Sequence, residues 1–355
     1  MTTMTRRTAG KILSGAALGA LAAPAIVRAQ GSLQKITLSY PTQSGASWPM
    51  YVAKETGLYE RNGLDVTLVF GVHPTGIAML VSGQAQALNY GIDPLLIAAT
   101  KDPLMVLMAS TLNKASFALI VQPDIKSPQD LKGKRIGVSR IGDTPYHLTV
   151  SMMKKWGLTA RDVQWVPAGA DPAARFAAMM GGLTDAVLAP QPYYYKMIEE
   201  AGKRMLANVA DFPDIYVSTA TVFRKSYIAQ NKELPEKVIR AHAEAIKRIY
   251  EDRELANAVY AKYDRGARPV DLPKQYEFYL AKNVLDRVPF VVKPAIDAAI
   301  ERDGDTSPQM KTFDYKQVID NSVVLKLVKE GYFEKLFGPG IKAEQDAKLK
   351  LAFGV

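Results

Sequence analysis

The stretch Pro49-Met-Tyr-Val-Ala-Lys-Glu-Thr-Gly-Leu-Tyr-Glu-Arg-Asn-Gly-Leu-Asp-Val66 combines a helix with the strand that follows it. Residues 48–62 have the apolar spacing of an amphipathic helix, and Gly63 is a natural C-terminal cap. The next residues, Leu64–Phe70, are typical of a strand. Because another strand is predicted at 36–40, this part of the chain predicts a strand–helix–strand unit.

The same alternation of strands and helices occurs twice along the chain. In the first part, further strands are predicted at 85–90 and 104–111, with helices between them. In the second part, strands are predicted at 135–138, 163–167, 185–189 and 205–209. Strands separated by single helices predict parallel, helix-covered sheets, so the expected fold is α/β with two doubly wound lobes.

The order of the predicted elements also predicts where the lobes begin and end. The apolar segments 117–121 and 217–223 are candidate strands that cross between the lobes, and the chain is mainly helical from about residue 233. We therefore expect a first lobe at 30–115 and 222–355, with a helical C-terminal extension, and a second lobe at 116–221. The two crossings would form the hinge.

The first 29 residues have the pattern of a secretory signal peptide. A basic start with Arg6-Arg7 and Lys11 is followed by an apolar stretch to Val27 and by small residues at the predicted exit. The arginine pair favours the twin-arginine route and export in the folded state, although Ala9-Gly10 departs from that pattern. The general secretory route and an uncleaved membrane anchor are the alternatives.

Composition argues against several classes of function. The chain has no cysteine, and its 45 basic and 35 acidic residues are scattered, which argues against nucleic-acid binding. The only histidines, His73, His147 and His242, lack metal-ligand spacing, and the motifs of serine hydrolases, P-loop proteins and dinucleotide-binding proteins are missing from the sequence. We therefore expect no metal, no cofactor and no catalysis.

Six prolines mark the places where helices begin after strands. A proline suits the first turn of a helix, because its φ angle fits and its missing N–H is not needed there. In parallel sheets, ligands bind beyond the carboxyl ends of the strands, where these helices start, and helix N-termini attract anions. The six are Pro49, Pro74, Pro94, Pro145, Pro172 and Pro192.

The loops at these helix starts supply the candidate ligand-binding residues. Arg140 suits a carboxylate or sulfonate in fork geometry, and Trp48 and Tyr193 would contact an organic body. The alternatives are that Trp48 lies in the core, that Asp93 only caps its helix, and that Arg140 is solvated or structural. The full set is Gln43, Ser44, Ser47, Trp48, Tyr90, Asp93, Arg140, Gly142, Thr144, Gln191 and Tyr193.

Two stretches resemble a known family. The quoted segment at 49–66, together with Ile125-Lys-Ser-Pro-Gln-Asp-Leu-Lys-Gly-Lys-Arg-Ile-Gly-Val138, is similar to periplasmic binding proteins of nitrate, sulfonate and taurine ABC importers, a group that includes binders of thiamine precursors. The resemblance is strong from about residue 35 to 223. It implies the type II periplasmic-binding-protein fold, in which two lobes close on a ligand, with contacts from the loops named above.

The resemblance also implies a function. We expect a monomeric periplasmic binding protein that captures a small organic anion, such as a sulfonate or carboxylate, and delivers it to an ABC transporter permease. One alternative is a neutral heterocycle such as a thiamine-precursor pyrimidine. A ligand-sensing periplasmic protein and an enzyme on the same fold are two others. Because relatives that synthesise the thiamine pyrimidine depend on a cysteine-rich segment, the lack of cysteine argues against that enzymatic branch.

Overall fold

The computed structural model describes residues 32–169, 171–212, 215–264 and 266–355. The predicted leader at 1–29, with its twin-arginine signal, lies outside the described residues. Leu33–Val355 form one compact unit. The predicted lobe boundaries at 115/116 and 221/222 therefore stay predictions. No helix within the described ranges is long and apolar enough to cross a membrane.

The described residues contain ten strands. They are β1 (Gln34–Tyr40), β2 (Leu64–Phe70), β3 (Ala87–Gly91), β4 (Met105–Leu112), β5 (Phe117–Val121), β6 (Arg135–Val138), β7 (Gln164–Pro167), β8 (Ala186–Pro190), β9 (Arg204–Asn208) and β10 (Thr219–Arg224). For each strand, the ends predicted from the sequence lie within about three residues of the observed ends.

The helices fall into two groups. Those between the strands are α1 (Trp48–Glu55), α2 (Leu58–Arg61), α3 (His73–Ser82), α4 (Ile92–Lys101), α5 (Thr144–Lys155), α6 (Pro172–Met180) and α7 (Tyr193–Ala201). Those after the last strand are α8 (Lys225–Gln230), α9 (Leu234–Glu251), α10 (Arg253–Tyr263), α11 (Leu272–Ala281), α12 (Lys293–Asp303), α13 (Ser322–Lys329), α14 (Tyr332–Phe337) and α15 (Lys342–Leu351).

The strands form two five-stranded sheets with the same arrangement. The first sheet has the order β2-β1-β3-β10-β4, and the second has the order β7-β6-β8-β5-β9. In the first sheet β1 pairs in parallel with β2 and β3, whereas β10 is antiparallel to β3 and β4. In the second sheet β6 pairs in parallel with β7 and β8, whereas β5 is antiparallel to β8 and β9. The α/β prediction with two sheets is confirmed.

Both sheets are mixed, because one strand in each runs antiparallel to its neighbours. The antiparallel strands β5 and β10 are the two candidate crossing strands. Each follows directly on a segment of the other sheet rather than on a helix of its own sheet, because β5 comes after β4 and β10 comes after β9. A strand that enters a sheet without a crossover helix is free to run antiparallel to its neighbours.

Two helix predictions also needed correction. The helix predicted at 48–62 divides into α1 and α2 because Gly57 adopts a left-handed φ of 67° between them. Within the region predicted to be mainly helical, Tyr315–Gln317 form only a short 3-10 turn, and the α-helix that follows is confined to Ser322–Lys329.

The C-terminal region packs against the edge of the first sheet. The backbone N–H of Leu107 in β4 donates to the carbonyl of Val318 at 2.8 Å, and the N–H of Asp286 donates to the carbonyl of Thr111 at 2.9 Å. These contacts pair the outer side of an edge strand that would otherwise expose its backbone groups. The extension therefore protects the first sheet from edge-to-edge association.

Candidate functional site

A cavity of about 690 Å³, here called the main cavity, is lined by loops and helix starts that belong to both sheets. The first sheet contributes Ser44 after β1, His73 after β2, and Asn89 and Gly91 at the end of β3. The second sheet contributes the loop from Ser139 to Thr144 after β6. These are the carboxyl ends of the strands, where ligands bind in open α/β sheets, and the volume suits a small organic molecule.

Four of the six proline-marked helix starts lie at the main cavity. Pro74, Pro94, Pro145 and Pro172 all line it. They stand in the first turns of α3, α4, α5 and α6, which therefore direct the positive ends of their dipoles toward this space. The other two prolines, Pro49 and Pro192, are not among the lining residues.

Arg175 is the main functional candidate that the sequence analysis missed. It lies in the first turn of α6, is only 3% exposed and lines the main cavity. Its Nη1 donates to the carbonyl of Gly169 at 2.9 Å. Burial lowers the pKa of Arg175 to about 10, so the guanidinium still carries its charge near neutral pH. The sequence does contain one indication of its role. Arg175 is the only charged residue in an otherwise apolar helix that begins with Pro172.

Arg140 also lies at the main cavity, together with its predicted neighbours Gly142 and Thr144. Its Nη2 donates to Oδ1 of Asp143 at 2.8 Å, and the hydroxyl of Ser139 donates to the other oxygen of the same carboxylate at 3.0 Å. The Arg140 side chain is 62% exposed. It therefore stands at the rim as a solvated cation that Asp143 partly orients.

Asp93 lines the main cavity from the first turn of α4 and forms a buried ion pair. Arg302 in α12 donates to its Oδ1 from Nε at 2.9 Å and from Nη2 at 2.5 Å. Burial alone would raise the pKa of Asp93, but the charge and the hydrogen bonds of Arg302 outweigh it and lower the pKa. The carboxylate is therefore ionised and paired. Asp93 therefore joins α4 to α12.

Three predicted site residues lie in the core rather than at the main cavity. Trp48 is fully buried, packs edge-on against Tyr260 at 5.2 Å, and donates from Nε1 to the carbonyl of Ala256 at 2.9 Å. The hydroxyl of Ser47 donates to the carbonyl of Thr42 at 2.8 Å. The hydroxyl of Tyr90 donates to the carbonyl of Gly71. Large aromatic side chains at the start of a helix pack where they remove the most apolar surface from water, and here that is the core.

The remaining three predicted residues, Gln43, Gln191 and Tyr193, do not line the main cavity either. Gln43 and Tyr193 line a second cavity of about 550 Å³, together with Asp171 and Asp264. The Tyr193 hydroxyl donates to Oδ1 of Asp264 at 3.3 Å. Gln191 is almost completely buried, and its Nε2 lies 2.6 Å from the hydroxyl of Tyr194. Of the eleven predicted residues, the structure brings five to the main cavity, namely Ser44, Asp93, Arg140, Gly142 and Thr144.

The charged residues at the main cavity favour an anion. Lys101 and Lys114 join Arg140 and Arg175 among its lining residues, whereas its lining carboxylates, Asp93 and Asp143, are each paired with an arginine. His73 also lines the cavity, and burial lowers its pKa, which keeps the imidazole neutral near pH 7. Within the part of the chain that the structure describes, no group of three or more potential metal ligands occurs.

The comparisons with known proteins agree with this architecture. The taurine-binding periplasmic protein of Escherichia coli (strain K12) is 31% identical over 169 residues, or 46% of this chain, and the alignment spans only about half (51%) of that relative. The periplasmic aliphatic sulphonate binding protein SsuA from Escherichia coli has a similar fold, with a TM-score of 0.67 and 20% identity over 81% of this chain and 92% of that one. The nitrate-binding protein NrtA from Synechocystis PCC 6803 gives a TM-score of 0.68 at 12% identity, over 84% of this chain and 89% of that one.

The resemblance stated from the sequence is thus confirmed. A family model described as NMT1/THI5 like matches residues 45–256, a range that includes every strand of the two sheets except β1. The matched range contains most of the main cavity, from Ala46 to Thr219. The chain belongs to the NMT1/THI5-like family.

Proposed function

We propose that this protein is the solute-binding component of an ABC importer and holds a small organic anion, of the sulfonate or carboxylate type, in the main cavity. The observation that carries the proposal is the buried, charged guanidinium of Arg175 among the lining residues. A guanidinium binds carboxylates and sulfonates through two parallel N–H···O bonds, and burial strengthens such bonds by excluding water.

Further features support an anion at this position. The starts of α3, α4 and α5 also face the main cavity, and no side-chain cap is seen at the first turn of any of these three helices. Backbone N–H groups at uncapped helix starts are suitable donors to an oxyanion. Arg140 at the rim would attract the anion and close over it.

The apolar part of the lining favours an organic ligand over a bare inorganic anion. Ile97, Leu112, Phe117 and Val217 all line the main cavity. Its volume of about 690 Å³ is also much larger than a nitrate or sulfate ion needs. A ligand with an anionic head and an organic body would use both parts of the lining.

The proposed role is capture and delivery without chemical change. The names of the taurine- and sulphonate-binding relatives support a periplasmic binding role. An ABC transporter permease as partner is what the family resemblance implies. The predicted signal peptide at 1–29 supports export, with the twin-arginine route as the finer expectation. Closure around the ligand needs only a few kcal/mol of differential affinity between the open and closed forms.

A thermal-shift screen tests the proposal. The purified protein is mixed in turn with ethanesulfonate, taurine, MOPS, benzoate, nitrate and a neutral aminopyrimidine, and its melting temperature is measured. We expect stabilisation by at least one organic anion, with recovery of that ligand unchanged after incubation. Stabilisation by the aminopyrimidine alone would contradict the assignment of an anionic group, and turnover of the ligand would contradict a pure binding role.

A further inference from the structure

The main cavity has a carboxylate in its wall that should repel the proposed ligand. Asp93 lies in the first turn of α4, beside the space that Arg175 also lines. It is ionised, because the charge of Arg302 lowers its pKa despite burial. An unpaired carboxylate at this position would oppose an anion strongly, since charges interact over several ångströms in a partly dehydrated space.

The charge that compensates Asp93 comes from a distant part of the chain. Arg302 is the penultimate residue of α12, 209 positions from Asp93, and both side chains are less than 10% exposed. Two of its nitrogen atoms donate to one oxygen of Asp93, and Nη1 donates to the carbonyl of Tyr216 at 3.1 Å. Arg302 itself is not among the residues that line the main cavity. It therefore acts on the ligand space through Asp93.

The neighbouring carboxylate of Asp303 does not compete with Asp93 for Arg302. The next residue, Asp303, is also buried, but its Oδ1 lies 2.5 Å from Nε2 of His147 in α5. The same Nε2 also lies 2.9 Å from the carbonyl of Gly142. Asp303 thus has a partner of its own, while the Arg302 guanidinium contacts the Asp93 carboxylate and the Tyr216 carbonyl.

We propose that Arg302 is a positioning residue that sets the charge selectivity of the main cavity by neutralising Asp93. The proposal rests on the proposed function, since it assumes that an organic anion occupies this space. It differs from a purely structural role in one respect. If the role is electrostatic, the loss of anion affinity caused by removing Arg302 disappears when the charge of Asp93 is removed as well.

The test compares five variants of the full chain by isothermal titration calorimetry with ethanesulfonate, taurine, MOPS and benzoate. They are R302Q, R302K, D93N, the double variant D93N/R302Q and, as a matched control, R287Q. Arg287 also forms a two-nitrogen ion pair, with Glu344 at 2.7 and 2.9 Å, but it does not line the main cavity. The control therefore shows what the loss of an arginine ion pair does by itself.

We expect R302Q to weaken binding of the anion that the wild type binds by at least 10-fold. The double variant should bind within about 3-fold of the wild type, and R287Q should bind like the wild type. If R302Q does not fold, D93N alone carries the test, because removal of the carboxylate must then strengthen binding of the anion. R302K, which keeps the charge, should lie closer to the wild type than R302Q does.

Two results would overturn the inference while leaving the proposed function intact. In the first, the wild type binds an anion and R302Q binds it equally well. In the second, the double variant is as weak as R302Q, which would make the role of Arg302 structural. A wild type that binds none of the four anions would instead contradict the proposed function, and the inference would fall with it.

Discussion

At the scale of single residues, Arg175 and Arg140 differ in environment although both line the main cavity. Arg175 is buried and held by the carbonyl of Gly169, whereas Arg140 is mostly exposed and paired with Asp143. Hydrogen bonds to a charged group contribute more when water is excluded, and exposed ion pairs contribute little. The two arginines should therefore differ in their effect on affinity.

We expect R175Q to weaken binding of an organic anion by roughly 10- to 100-fold, in line with the loss of a charged hydrogen-bonding partner. R140Q should weaken it by less, about 2- to 5-fold. R204Q is a suitable control, because Arg204 also donates to two backbone carbonyls, those of Ile125 and Lys126, but does not line the main cavity. The dissociation constants can be measured by calorimetry, and equal losses in R175Q and R204Q would contradict the assignment.

A second prediction at this scale concerns stability in acid. His242 is fully buried in α9, its Nε2 lies 2.8 Å from the hydroxyl of Tyr59, and burial lowers its pKa to about 4. The unfolded chain takes up a proton near pH 6.5, whereas the folded protein does so only near pH 4. His242 therefore contributes stability above pH 6.5 that is lost as the pH falls toward 4, on the order of 3 kcal/mol in all.

Urea denaturation of the wild type and H242Q at pH 7.5 and pH 4.5 measures this contribution. Other groups also titrate in this range, so the informative quantity is the difference between the two proteins. We expect the free energy of unfolding to fall less between the two pH values in H242Q than in the wild type. An equal fall in both would show that His242 takes up its proton at the same pH in the folded and unfolded states.

At the scale of elements, the start of α6 links a helix cap to the proposed site. The carboxylate of Asp171 accepts a hydrogen bond from the N–H of Ala173 at 2.9 Å, and Arg175 stands in the same first turn. Removal of an N-cap of this kind destabilises a protein by about 1 kcal/mol. The cap also fixes the turn from which the Arg175 guanidinium extends.

We therefore expect D171A to lower the free energy of unfolding by about 1 kcal/mol and to weaken anion binding as well. D130A is the matched control, since Asp130 accepts from the N–H of Ser127 at 2.8 Å in a capping box away from the main cavity. D130A should leave the affinity unchanged. Denaturation and calorimetry on both variants test this. Unchanged anion affinity in D171A would show that the cap does not position Arg175 for binding.

The elements also show what could be predicted from the sequence and what could not. Helix starts were predictable because Pro74, Pro145 and Pro172 favour the first turn of a helix whatever the rest of the chain does. It was not predictable which side chain of a helix faces the ligand space, because that depends on how other segments pack against the helix. Trp48 contacts Tyr260 and Tyr279 from α10 and α11, more than 200 residues away, and so lies in the core.

At the scale of the whole molecule, two sheets with the same strand arrangement line one cavity, and the C-terminal helices join them. Arg268 pairs with Glu199 and Glu200 in α7 at 3.0 and 2.7 Å, while Asp303 in α12 contacts His147 in α5. The sequence predicted two sheets and two crossings from periodicity. It could not predict these contacts, because ion pairs between distant helices leave no periodic pattern in the chain.

The central claim is that an organic anion lies in the main cavity with its charged group at Arg175. A crystal structure of the protein with the most stabilising anion of the thermal-shift screen tests this claim most directly. We expect an oxygen of the anion to lie within about 3 Å of the Arg175 guanidinium and Asp93 to stay paired with Arg302. An anion bound in the second cavity, beside Tyr193 and Asp264, or on the outer surface would contradict it.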